Sequence, residues 1–134
     1  MYVTDTGNKR VQVFDMQGKP IRAFGGTGLA PGQFNEPTSI SIDAATGEIY
    51  VADLWNLRVQ VFDRDFNFLR EFPVDGWDSQ DAPFKAYLAV GPGGIVAVTD
   101  PAAARVWLFD RQGKPLGTLD LPMDDRGLKE PIGV

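Results

Sequence analysis

Apolar residues along this chain come in short runs, each closed off by glycine, proline, asparagine or aspartate. In the middle of the chain PTSISID (37–43) is followed by the turn AATG and then by EIYVAD (48–53). After LWNL comes RVQVFD (58–63), then a second turn, then FLREF (68–72). Runs rich in Val, Ile, Phe and Tyr between such breakers read as strands. No window of helical length carries an apolar period of 3.6 residues. The runs IYVA and VQVF are almost continuously apolar, which fits strands covered on both faces. The pattern predicts an all-β chain.

The same phrase is written more than once. NKRVQVFD (8–15) and NLRVQVFD (56–63) agree at seven of eight letters and lie 48 positions apart. A third, more worn copy aligns without a gap: YVTDTGNKRVQVFD (2–15), YVADLWNLRVQVFD (50–63) and AVTDPAAARVWLFD (97–110). QGKP recurs at 17–20 and 112–115, and FNEPTSI (34–40) is echoed by LKEPIGV (128–134). Four antiparallel strands repeated at nearly this spacing match the blade of a β-propeller. A β-sandwich is the alternative, but it has no need to repeat one four-strand phrase.

The phrases YVTDTGNKRVQVFD and YVADLWNLRVQVFD, with GLAPGQFNEP ahead of the second, resemble NHL repeats. That resemblance implies a propeller of mostly six blades, and it identifies a fold module rather than a chemistry. The third copy departs from it, with Pro101, Ala102, Ala103 and Ala104 in place of the asparagine-containing turn. The expected division is a partial blade over 1–24, whole blades over 37–72 and 83–119, and the opening strand of another at 130–134. Three blades' worth of strands is too few to close a ring, since propellers typically have about 4–8 blades. Two arrangements satisfy the count: a segment of a longer six-bladed protein, or a homodimer closing a six-bladed ring head to tail.

Charge and composition narrow the function. The 134 residues carry a formal net charge of −5, against a phosphate-binding surface. There is no cysteine, so disulfides and thiolate metal sites are excluded. There is no histidine either, which removes the usual base, proton shuttle and metal ligand. Some NHL-like propellers are amidating lyases that hold zinc through histidines, and those ligands are missing here. A carboxylate-held metal of the lactonase kind needs acids on the innermost strands, and PTSISI and KAYLAV offer none. Compartment is left open; the resemblance permits a bacterial extracytoplasmic location.

Several polar residues recur with the period and therefore read as structure. Asp5/Arg10, Asp53/Arg58 and Asp100/Arg105 flank the same turn in each copy and are expected to clamp it. Asn8 and Asn56 suit that turn because asparagine bonds locally and tolerates positive φ. Asp15, Asp63 and Asp110 each open a turn. DRDFN (63–67) has the start of a calcium loop without its glycine or distal glutamate, so no metal is expected. No cofactor is expected: GTG (26–28) and GPGG (91–94) lack the residues that make a phosphate loop.

The functional clue is where the repeat breaks. Trp55 and Leu57 stand where the first copy has Gly7 and Lys9. In a meander this turn shares one face of the disc with the inter-blade loops, including PVDGWDSQDAP (73–83). The candidate partner-binding set is Asp53, Trp55, Leu57, Asp75, Trp77 and Asp78. An aromatic anchor among carboxylates is expected to take a protein or peptide of basic character. The competing structural reading packs Trp55 and Leu57 against the adjacent loop and leaves the acidic loop merely solvated. Trp107 replaces Gln12 and Gln60 within a strand and is assigned to packing between blades. RNA is the weaker alternative: Lys9, Arg10, Lys19 and Arg22 are the densest basic positions, the face that matters carries aspartates instead, and aromatics without basic escort make a poor nucleic-acid platform. The remaining alternative is an enzyme whose active residues lie outside this chain.

Overall fold

In the computed structural model, which describes residues 1–77 and 85–120, the strands pair strictly with their chain neighbours. β1 (Tyr2–Asp5), β2 (Arg10–Phe14) and β3 (Pro20–Gly25) form one antiparallel sheet. β4 (Pro37–Ile42), β5 (Ile49–Asp53), β6 (Arg58–Phe62) and β7 (Phe68–Pro73) form the second. β8 (Leu88–Val90), β9 (Val96–Asp100), β10 (Arg105–Phe109) and β11 (Pro115–Asp120) form the third. The fold is all-β, three successive antiparallel sheets of a partial six-bladed propeller. The expected strand at 130–134 lies outside the described residues.

Burial explains the near-continuous apolar runs. Every residue of β5 and β6 is buried, because the middle sheet is covered on both sides. Towards the first sheet, Ile49, Val51 and Phe62 meet Val11, with Phe34 from the linker between the sheets. Towards the third, Tyr50, Ala52, Val59 and Val61 meet Val96, Val98 and Phe109. Adjacent residues thus serve different cores, which is the period of two applied to a sandwiched strand.

The serines and threonines of PTSISI tie blades together. Thr38 Oγ1 donates to the Ala86 carbonyl at 2.7 Å, and the Leu88 and Val90 amides donate to Ser39 and Ser41 at 3.1 Å each. On the other side Thr6 Oγ1 donates to the Pro37 carbonyl at 2.6 Å. Hydroxyls therefore cross-link the inner strands β4 and β8, whose separate sheets share no ladder.

Towards the outer edge, Arg70 joins the middle and third sheets. Its guanidinium donates to both Glu48 oxygens, at 3.0 and 2.7 Å, and to the Arg111 carbonyl. The Tyr50 hydroxyl donates to Glu48 at 3.0 Å. Arg70 holds the Glu48 carboxyl below its usual range. Burial, and then the neighbouring Glu48, push the Tyr50 phenol up to about 12.

The three turns opened by Asp15, Asp63 and Asp110 share one construction. In each, Oδ1 accepts two backbone amides, such as Gln17 at 3.0 Å and Lys19 at 2.8 Å. Gly18 and Gly113 take the left-handed position in two of them, and Phe66 takes it in the third, with φ 70. Phe66 stacks on Phe24 at 4.8 Å, so the middle turn gives up glycine for contact with the first sheet.

Phe34 is fully buried, so Phe34→Ala lowers unfolding free energy by about 3–5 kcal/mol. Met16→Ala, at an exposed position, stays within about 0.5 kcal/mol, both changes being read by urea titration. The raised Tyr50 value means that the unfolded chain loses this proton from pH 10.0 while the folded chain keeps it to about 12. The associated stability is present below pH 10 and falls between 10 and about 12, and Tyr50→Phe flattens that part of the profile.

Candidate partner-binding face

The turn between β5 and β6 is built around Asp53. This carboxylate is fully buried and accepts the Asn35 and Glu36 amides through Oδ1, at 2.8 and 3.1 Å. Its Oδ2 accepts Asn56 Nδ2 at 2.8 Å, Arg58 Nε at 3.1 Å and Gln60 Nε2 at 3.3 Å. Between Asp53 and Arg58 the chain makes a 3-10 turn, Leu54–Asn56, closed by Leu57 in the left-handed region at φ 57. Asparagine bonds to the carboxylate, as its side chain suggested. The positive φ falls one residue later, at Leu57 and equally at Lys9 and Ala104.

The linker 26–36 lies along this turn and the adjoining strand. Arg58 donates to the carbonyls of Leu29, Ala30 and Gln33, at 2.9, 3.3 and 2.9 Å. Gln60 accepts the Gly32 amide at 2.8 Å and donates to the Gln33 carbonyl at 2.7 Å. Asn56 donates to the Gly28 carbonyl at 3.0 Å. These residues fasten one sheet to the next.

The first and third copies of the clamp differ. Arg10 pairs with Asp5 at 2.9 Å, and Asn8 followed by Arg10 holds the Asp5 carboxyl below its usual range. Asp100 and Arg105 face each other across β9 and β10, as Asp53 and Arg58 do across β5 and β6. Asp100 Oδ1 accepts the Ala103 amide at 3.2 Å, and the Arg105 guanidinium lies 5.5 Å from the Trp107 ring centre. Alanines in place of the asparagine turn and Trp107 in place of glutamine change what both side chains meet. Gly76 lets the next linker pass this point: a Cβ there falls 2.2 Å from Asp100 Oδ2 and 2.4 Å from Trp107 Nε1.

The candidate set is brought together around the β5–β6 turn but not on one surface. Asp53 faces inward, as described. Trp77 is also buried, with Nε1 donating to the Thr99 carbonyl at 3.0 Å, so the expected exposed anchor is a wedge between the second and third sheets. Its linker re-enters the core just after the Val74 amide bonds the Leu57 carbonyl at 3.0 Å. Asp75 is exposed, and Asp78 lies outside the described residues. Leu57 is exposed and Trp55 half-buried, its inner side packed on the core between the second and third sheets. Lys9 and Lys85 lie 4.9 and 5.8 Å from the Trp55 ring centre, and Lys85 also pairs with Glu36. These two lysines come from the first sheet's turn and from the stretch ahead of β8. Neither adjoins Trp55 in sequence, and only the packing of one sheet on the next brings them to it.

The remaining basic positions are dispersed. Arg22 lies over the Phe66 ring at 4.7 Å and Lys19 is exposed on a separate turn. Among the described residues there is no group of three or more carboxylates placed to hold a metal ion. No helix among them is long and apolar enough to cross a membrane.

Sequential antiparallel meanders of three, four and four strands, the first two joined by a linker that docks on the following sheet, define a β-propeller segment. The chain belongs to the DUF5128 family of six-bladed β-propellers, whose model matches residues 1–84. It is similar in structure to virginiamycin B lyase from Staphylococcus aureus, with TM-score 0.69 and 11% identity over 98% of this chain and 40% of that one. A candidate exported protein from Bacteroides fragilis gives TM-score 0.65 and 20% identity over 88% and 34%. A nidogen/laminin complex gives TM-score 0.63 and 18% identity over 88% and 41%. The chain thus spans about two fifths or less of these neighbours' lengths, and at such identities the likeness is one of fold. No curated protein matches the sequence.

Proposed function

We propose that the chain is a non-catalytic, NHL-like propeller scaffold that binds a protein or peptide through the face bearing the β5–β6 turn. The observation that carries this reading is Leu57, an exposed leucine in the left-handed region beside a half-buried tryptophan. That conformation costs an L-residue roughly 1–2 kcal/mol, and Leu57 nonetheless leaves 36% of its surface open to solvent. An apolar side chain held out in this way suits a contact made with another molecule. Lys9 and Lys85 already cover the Trp55 ring, so the face suits a partner offering carboxylates beside an apolar side chain. This replaces the basic partner expected from the acidic loop.

A lyase-like enzyme is the second reading, favoured by the fold similarity alone. A histidine-to-alanine variant of the Staphylococcus aureus lyase is catalytically inactive, and this chain has no histidine. Such chemistry would rest on residues outside these 134. An extracytoplasmic location fits the similarity to a candidate exported protein. Closure of a six-bladed ring by two copies is part of the scaffold proposal; light scattering should then give twice 14.7 kDa, and a strict monomer rejects it.

Selection of random displayed peptides on the full chain tests the binding face. Leu57→Gly should raise stability by about 1 kcal/mol by relieving the left-handed strain. Together with Trp55→Ala it should weaken the enriched peptides at least tenfold. Peptides that bind the folded double variant unchanged would place the interaction elsewhere.

A further inference from the structure

The first sheet carries a second copy of the linker-binding surface, and among the described residues no linker lies on it. Asp5, Asn8, Arg10, Gln12 and Phe14 repeat Asp53, Asn56, Arg58, Gln60 and Phe62, identical in type and each 48 residues earlier. Register places them alike: Asp5 faces Arg10 across β1 and β2, as Asp53 faces Arg58 across β5 and β6. In the middle sheet this set grips residues 26–36, and the Arg58 and Asp53 side chains are only 9% and 0% exposed. In the first sheet the Arg10 and Asp5 side chains are 43% and 27% exposed.

Between them lies an open groove of about 480 Å³, walled by Asp5, Arg10, Gln12, Phe14, Val3 and Pro20. Among the described residues Arg10 bonds only Asp5, where Arg58 also reaches three linker carbonyls. Gln12 turns its amide to the Arg22 carbonyl at 2.7 Å, leaving its oxygen without the backbone amide that Gln60 receives from Gly32. Phe14 is half-buried, whereas Phe62 is sealed by Phe34 at 5.8 Å between ring centres.

We infer that this groove is a receptor for an extended, glycine- and proline-containing linker of the 26–36 type, donated by another propeller blade. The occupant's chemistry follows from the filled copy. It presents backbone carbonyls to Arg10, backbone amides to Asp5 and Gln12, and one phenylalanine to Phe14. Glycine is required in it because Gly28 and Gly32 have φ values of 154 and 80, and a Cβ on Gly28 meets the Gln33 side chain at 1.9 Å. The inference concerns a different surface from the Trp55 face and stands or falls separately.

The probe is a fluorescent peptide of residues 26–37, GTGLAPGQFNEP, added to the full chain while anisotropy and light-scattering mass are followed. Expected is saturable binding, or dissociation of a self-associated chain whose grooves are already filled by linkers of other copies. Either effect should weaken about tenfold or more in Gln12→Ala, which removes the contacts made by one amide side chain. The same loss is expected for the peptide carrying Phe34→Ala, a change that puts no folding of the chain at risk. A peptide that neither binds nor alters the mass overturns the inference, and so does binding indifferent to both changes.

Discussion

The buried carboxylate of Asp53 is the contact on which the arrangement turns. A carboxylate away from water is tolerable only when its oxygens are fully supplied with donors. Here the donors come from three sources: the linker amides of Asn35 and Glu36, the turn side chain of Asn56, and the strand side chains of Arg58 and Gln60. Satisfying one charge therefore fixes the path of the linker, the shape of the turn and the rotamers of β6 together. Because the linker arrives from the first sheet, the same requirement sets how two sheets meet. Phe34 then fills the apolar space beside Phe62 and Phe24, which the polar network leaves dry.

This interdependence explains what the sequence made legible. The period, the strands and the Asp-x4-Arg pairs could be read because each blade repeats the same local demand. What could not be read was which members of the phrase face solvent. Asp53 and Trp77 look like surface residues in a turn and an acidic loop. The linker 26–36 folds back over Asp53, and the linker that carries Trp77 turns it into the core, long-range events that no local pattern announces. Trp107 was assignable because it interrupts a known strand position, whereas Trp77 sits in a stretch with no counterpart in the linker 26–36.

The polar strand PTSISI shows the same limit from the other side. Its alternation resembles a strand with one face in water. Ser39 and Ser41 instead accept amides from β8 and Thr38 caps the Ala86 carbonyl, so the polar positions serve a neighbouring sheet. Strands splayed about an axis cannot keep a backbone ladder between blades, and short hydroxyl side chains supply the missing partners. Acids at these positions would have interrupted that link, which accounts structurally for their absence without appeal to catalysis.

The three turns separate what the fold requires from what it leaves free. Each places a left-handed residue just before the arginine, at Lys9, Leu57 and Ala104, with φ between 51 and 57. None is glycine or asparagine, so the surrounding contacts impose the conformation and the side chain is not chosen to ease it. Two residues earlier stand Gly7, Trp55 and Ala102, equally dissimilar. A Cβ on Gly7 meets nothing within 4 Å, so the first turn has open space where the middle turn carries an indole. The scaffold constrains aspartate and arginine and tolerates almost anything between them. Tryptophan and leucine at these positions set the middle blade apart from its neighbours, and Trp55 uses the latitude to pack its inner side on the core between the second and third sheets.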